Sequence, residues 1–184
     1  MAVDLKLDTR VITGKIRMSY VNLFVPRAVT DGEELRYSLC LIIPKDDEFT
    51  LRQIKRAVEG AGKAGLGLWG GRMPEDLKLP LRDGDAERGD MEEYKNSWFL
   101  NASSKYKPGV VDKELREIVK ESEVYSGCYG RVSIGFYPFN NSGHKGIGCS
   151  LFNVQKLSEG EPLAVRRRPV EDFGSFDYEE DFLG

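Results

Sequence analysis

Apolar and polar side chains alternate over residues 10–20, Arg-Val-Ile-Thr-Gly-Lys-Ile-Arg-Met-Ser-Tyr. Ile12, Ile16, Met18 and Tyr20 fall on one face, and Thr13, Lys15, Arg17 and Ser19 on the other, which predicts a strand with one buried side. Residues 35–43, Leu-Arg-Tyr-Ser-Leu-Cys-Leu-Ile-Ile, are nearly continuous in apolar character, as a central strand requires, and Pro44 ends them. Asp46 or Asp47 then caps a helix in which Leu51, Ile54, Val58 and Ala61 recur at helical spacing. Gly60, Gly62, Gly65 and Gly67 are expected to break it. Residues 65–95 carry no sustained period.

Alternation returns over 95–105, with Trp98, Leu100 and Ala102 on one face and Lys95, Phe99, Asn101 and Lys105 on the other. A short helix is expected over residues 112–121. A hairpin closes the pattern, with arms over 127–139 and 147–157 and a turn over 140–146. In its first arm Val132, Ile134 and Phe136 oppose Tyr129, Arg131, Ser133 and Tyr137; in its second the alternation slips at Leu151-Phe152, which predicts a bulge. Short strands, one central helix, a long loop and a closing hairpin predict a mainly β fold, an OB-fold-like five-stranded barrel.

The strand faces opposite the apolar ones suggest the chemistry. They present Lys15 and Arg17, then Phe99 and Lys105, then Tyr129, Arg131 and Tyr137, and Lys105-Tyr106-Lys107 repeats the interleaving in a loop. Lys145 adds a cation in the hairpin turn. Lys and Arg neutralise phosphates and release counterions, while aromatic faces accept unpaired bases whatever their sequence. These ten residues are the expected contacts for single-stranded DNA.

Charge changes this picture once it is divided along the chain. The net charge of −3 comes from 27 basic and 30 acidic side chains, but six of the acids lie in residues 171–184, which hold no Lys or Arg. Residues 1–170 thus carry 27 basic against 24 acidic groups, a net +3. Two parts are expected: a DNA-binding domain over 1–165, and a tail over 166–184 that opens with Arg166-Arg167-Arg168. In the tail Phe173, Phe176, Tyr178 and Phe182 stand among Asp172, Asp177, Glu179, Glu180 and Asp181. Negative charge carried beside flat rings imitates a single strand, so the tail is expected to occupy the DNA site when DNA is absent and to recruit partner proteins when displaced.

Other chemistries find weaker support. Cys40, Cys128, Cys149 and the single His144 are too widely spaced for a ligand pair, so buried thiols and a turn histidine are expected, with no metal and no cofactor. Gly65-Leu66-Gly67-Leu68-Trp69-Gly70-Gly71 lacks the Lys-Ser/Thr of a phosphate-binding loop. The acids around Asp83 and Asp85 admit a competing reading, a Mg²⁺-dependent nuclease. A protein-only adaptor that uses the tail as its ligand is the third. No enzyme is expected. No apolar run reaches membrane-spanning length and no secretory pattern opens the chain, so a cytoplasmic location is expected.

The order of elements, together with Leu41-Ile42-Ile43-Pro44-Lys45, Tyr125-Ser126-Gly127-Cys128-Tyr129-Gly130-Arg131, Lys145-Gly146-Ile147 and Leu151-Phe152-Asn153-Val154-Gln155-Lys156, resembles the phage-encoded single-stranded DNA-binding proteins of the T7 type. That resemblance implies an OB-fold, sequence-independent binding, and a role in phage DNA replication and recombination in the host cytoplasm. It also implies homodimers and replication or recombination proteins as partners of the tail.

Overall fold

A computed structural model describes residues 9–28 and 30–163. The first alternating stretch divides at Gly14. Thr13 is buried, its hydroxyl donating to the Gly14 carbonyl and accepting from the Val132 N–H, while the Gly14 N–H donates to Thr50 Oγ1. The break reverses the phase before it: Val11 is buried and Ile12 is 60% exposed, the opposite of the sequence expectation. Two strands result, β1 (Arg10–Ile12) and β2 (Ile16–Arg27). In β2 the left-handed Tyr20 (φ 47°) lies where the pairing with the next strand slips, between Ser19 and Asn22, so Tyr20 turns outward.

The remaining strands are β3 (Arg36–Pro44), β4 (Arg82–Asp83), β5 (Ser97–Ser104), β6 (Gly109–Val111), β7 (Tyr129–Asn141) and β8 (His144–Ser158). β2, β3, β5, β8 and β7 pair in that order and β7 returns to β2, making a five-stranded ring. The β5–β8 contact is the parallel one. β1 and β6 extend the sheet beside β7 and β8, and β4 pairs with β5. This closed arrangement, with one main helix, is the expected OB-like barrel.

Ile16, Met18, Leu39, Leu41, Ile43, Leu100, Ala102, Val132, Ile134 and Leu151 fill the ring. Helix α1 (Glu48–Ala64) adds Leu51, Ile54, Ala57 and Ala61 to that core. Asp47 caps it by accepting from the Thr50 N–H, as expected. The helix runs through Gly60 and Gly62 and stops at Gly65, later than expected. A methyl at Gly62 would stand 3.0 Å from Met73 Cε, so close packing of the following loop outweighs the modest helix cost of glycine.

The helix expected over residues 112–121 is absent, and only a single 3-10 turn begins at its end, over Glu121–Glu123. Asp112 accepts the N–H groups of Glu114 and Arg116, Leu115 is left-handed (φ 65°), and the Ile118 N–H donates to the Val110 carbonyl. The buried pair Val110 and Ile118 draws the segment back along β6 instead. A short helix, α2 (Gly84–Glu87), follows β4. The final hairpin turns tightly, Asn141 pairing with His144 across Ser142 and Gly143, both at positive φ. Its expected bulge is present: Ser133 pairs with Asn153 but Ile134 with Leu151, leaving Phe152 as the extra residue. No helix among the described residues is long and apolar enough to cross a membrane.

Candidate nucleic-acid interface

The bulge in β8 has a chemical result. Leu151 and Val154 both point into the barrel, so Phe152 and Asn153 are both turned outward. The Phe152 ring rests on Gly135, where a methyl would come within 2.7 Å of Cε2, and the Arg10 guanidinium stands 4.1 Å from its centroid. A cation and a ring therefore share one position outside the barrel.

This pair forms one wall of an open groove of about 460 Å³. Its other wall is Arg36 together with the segment Lys105-Tyr106-Lys107, and Ser103, Ser150 and Asn153 supply a polar floor. The segment is held in place: Ser104 Oγ accepts from the Tyr106 N–H, and Asn153 Oδ1 accepts from the Gly109 N–H. Tyr106 is 81% exposed, so its ring faces water without a packing role. Arg36 donates to Ser103 Oγ at 3.2 Å and lies 3.6 Å from Glu34, which also pairs with Lys105 at 3.2 Å. Lys107 stands over the Phe24 ring at 5.7 Å. Four cations thus line the groove, with Glu34 paired to two of them.

Of the sequence-chosen contacts, Lys105, Tyr106 and Lys107 enter this groove. Lys15, Arg17, Tyr129 and Arg131 gather elsewhere on the outer face: Lys15 Nζ and the Arg17 guanidinium lie 5.2 and 5.6 Å from the Tyr129 centroid. Arg17 is already engaged, donating to the carbonyls of Gly127 and Glu161, and Arg131 donates to the Thr13 carbonyl. Tyr137 is 40% exposed on the outer face of β7, whereas Lys145, paired with Asn140, stands on the opposite face of the hairpin.

Phe99 is a correction. It does point away from the barrel interior, but it is 0% exposed. Residues 82–96 fold across that part of the outer surface and seal it, so Phe99 forms a second core with Cys40, Ile42 and Tyr94. It offers no face to a base. The tail residues, Asp172, Phe173, Phe176, Asp177, Tyr178, Glu179, Glu180, Asp181 and Phe182, lie outside the described residues, as does the expected boundary at 165.

Arg10, Arg36 and Phe152 line the same groove but are not among the contacts expected from the sequence. The signal for Phe152 was the very slip at Leu151-Phe152 that predicted the bulge, since an extra residue must turn a ring outward. Arg36 was hidden inside an apolar run, and Arg10 lay at the edge of the first alternation.

The two carboxylates of the nuclease reading are paired within the fold. Lys45 Nζ sits 2.9 Å from Asp83 Oδ1 and 2.7 Å from Asp85 Oδ2, and its hydrogen bonds hold both carboxyls below the usual range. Asp83 also caps the Asp85 N–H, and Asp85 accepts from the Asn96 N–H, so the pair fastens the covering segment to the barrel. Burial pushes the Cys40 thiol up to about 11 and raises those of Cys128 and Cys149, which keeps all three protonated near neutrality. No group of three metal-binding side chains occurs among the described residues.

Comparison with known proteins agrees with the barrel. The chain is 29% identical over 157 residues to putative protein p50 of Acyrthosiphon pisum secondary endosymbiont phage 1, covering 79% of this chain and 82% of that one. The single-stranded DNA-binding protein of bacteriophage Enc34, solved in complex with ssDNA, superposes with a TM-score of 0.73 at 27% identity, over 85% of this chain and 90% of that chain. The single-stranded DNA-binding protein gp2.5 of bacteriophage T7 shares the fold, with a TM-score of 0.60 at 14% identity over 93% and 96% of the two chains. The family model described as Enterobacter phage Enc34, ssDNA-binding protein, matches residues 9–183. The chain therefore belongs to the Enc34 family of phage single-stranded DNA-binding proteins.

Proposed function

We propose that this chain binds single-stranded DNA without sequence preference, in the groove between Arg10–Phe152 and Lys105-Tyr106-Lys107. The observation that carries the reading is the alternation of Arg10, Arg36, Lys105 and Lys107 with the rings of Phe152 and Tyr106 in that groove. The cations take phosphates and the rings take unpaired bases. A duplex, whose bases are already stacked, has no use for the rings. The solved ssDNA complex of the Enc34 protein supports the same class of ligand. The engagement of Asp83 and Asp85 by Lys45 favours this over the nuclease reading.

A salt titration with a fluorescent oligothymidine tests the phosphate contacts. If four cations each neutralise one phosphate, log K falls against log salt with a slope of about −3, roughly a 50-fold loss between about 50 and 200 mM. A flat response overturns the reading.

The biological role proposed is protection of single strands during phage DNA replication and recombination in the host cytoplasm, with two copies associating. The acidic tail is proposed to compete for the groove and, once displaced, to recruit replication or recombination proteins. Its point of departure supports this. Leu163, the last described residue, packs against Cys40, Ile42, Tyr94 and Phe99 on the outer face of β3, the face that carries Arg36. Ile42 and Arg36 are six residues apart on that strand, about 20 Å. The 21 residues from 164 to 184 have a contour of up to about 70 Å, ample to reach the groove. Deleting residues 171–184 is expected to tighten oligothymidine binding several-fold at low salt. Unchanged or weaker binding overturns the competition.

A further inference from the structure

The groove is not the end of the surface suited to bases. β7 turns its odd-numbered residues outward from Tyr129 to Phe139, and beyond Gly135 these are Tyr137 and Phe139. Each faces a glycine across the hairpin, Tyr137 opposite Gly148 and Phe139 opposite Gly146. In both cases a methyl on the glycine would collide with the ring, so the rings lie down over the bare backbone. Phe152 does the same on Gly135. Three rings therefore occupy successive outward levels of one hairpin, at Gly135, Tyr137 and Phe139.

Levels two residues apart on a strand are separated by about 6.7 Å. That is about twice the 3.4 Å rise of stacked nucleotides in a duplex strand. A single strand drawn out to twice its stacked rise presents one base at each level. Phe152 belongs both to this row and to the groove, so the row continues the groove with no gap.

We infer that the β7–β8 hairpin is an extension of the DNA site, a row of stacking positions in which Tyr137 and Phe139 take the two nucleotides beyond the one at Phe152. The ligand is an extended, unpaired stretch of DNA. The inference rests on the groove reading above and deepens it by fixing the direction in which the strand leaves.

The test is an affinity series with oligothymidines from about 4 to about 16 nucleotides, the range of known barrel sites, on the full chain. Wild-type affinity is expected to climb as the strand becomes long enough to pass Phe152. In Tyr137→Leu/Phe139→Leu that climb is expected to fall by at least about 5-fold per lost position, while the shortest oligonucleotides that still bind keep their affinity. Tyr137→Phe, which keeps a ring without its hydroxyl, is expected to retain the climb. The inference is overturned if the double variant has the wild-type length dependence. It is also overturned if the variant weakens every length alike, because the rings would then support the hairpin and not the bases. Absence of wild-type binding at any length would instead remove the groove reading itself.

Discussion

Replacing Phe152 by Ala is expected to weaken oligothymidine binding by roughly 5- to 150-fold, the equivalent of about 1–3 kcal/mol for one stacked base. The ring lies outside the barrel, on Gly135 and under Arg10, so its loss opens no cavity among Leu151, Ile134 and Val154. Stability should therefore change far less than affinity, which unfolding in urea checks. The double variant Arg10→Ala/Phe152→Ala separates the two halves of the position. The guanidinium covers the ring, so a base that stacks there has to displace it, and Arg10 is then expected to turn to a phosphate. Removing Arg10 as well should therefore make the salt slope shallower by about one phosphate contact, which Phe152→Ala alone should not do. If Phe152→Ala leaves affinity intact, the groove holds no base at this wall. If the slope is the same in both variants, Arg10 contacts no phosphate.

How far such a position is legible in a sequence depends on which interaction decides it. The interior faces of β5 and β7 follow from a two-residue period, and Trp98, Leu100 and Ala102, or Val132, Ile134 and Phe136, keep the assigned phase. The bulge at Phe152 is equally local, because it shows as a slip in that same period. The first strand fails for the opposite reason, a contact made only in the fold. Gly14 donates its N–H to the Thr50 side chain, a residue 36 positions away, and the detour exchanges Val11 for Ile12. The glycines in α1 mislead because helix propensity is a small term, readily outweighed by the packing of Met73 against Gly62.

The groove itself is assembled from β1, β3, the loop after β5, and β8. No period along the chain connects Arg10 with Phe152 or Arg36 with Lys105. Lys105-Tyr106-Lys107 stands out in the sequence because its three members are adjacent; the opposite wall of the groove does not, because its members meet only in the folded barrel. The covering of the outer face is hidden for a related reason. Residues 82–96 have no period, and their placement depends on Lys45 meeting Asp83 and Asp85 and on Arg88 donating to the Tyr94 hydroxyl at 2.6 Å.

That covering is also why Phe99→Ala is expected to be among the most damaging single changes, through stability and not through DNA. Phe99 is wholly buried, meets Tyr94 edge to face at 5.2 Å and 77°, and has the Arg88 and Arg82 guanidinium groups over its ring at 4.4 and 5.1 Å. Truncating a buried phenylalanine to alanine costs about 3–5 kcal/mol. Here the loss also removes the surface on which Arg88 and Tyr94 rest, so the covering segment loses its seat on Ile42 and Cys40. Set against a typical domain stability of about 5–15 kcal/mol, a change of that size moves the urea midpoint markedly and brings the protein near the unfolding threshold. The groove lies toward the other end of β3 and β5, at Arg36 and Ser103, and so the folded fraction should bind oligothymidine as the wild type does. Had Phe99 been a stacking platform, the pattern would be reversed, with affinity falling by the cost of one base and the urea midpoint nearly unmoved. Urea unfolding and oligothymidine titration on the same Phe99→Ala preparation decide between the two, and a stable variant with weakened binding would mean that the covering segment opens to admit the strand.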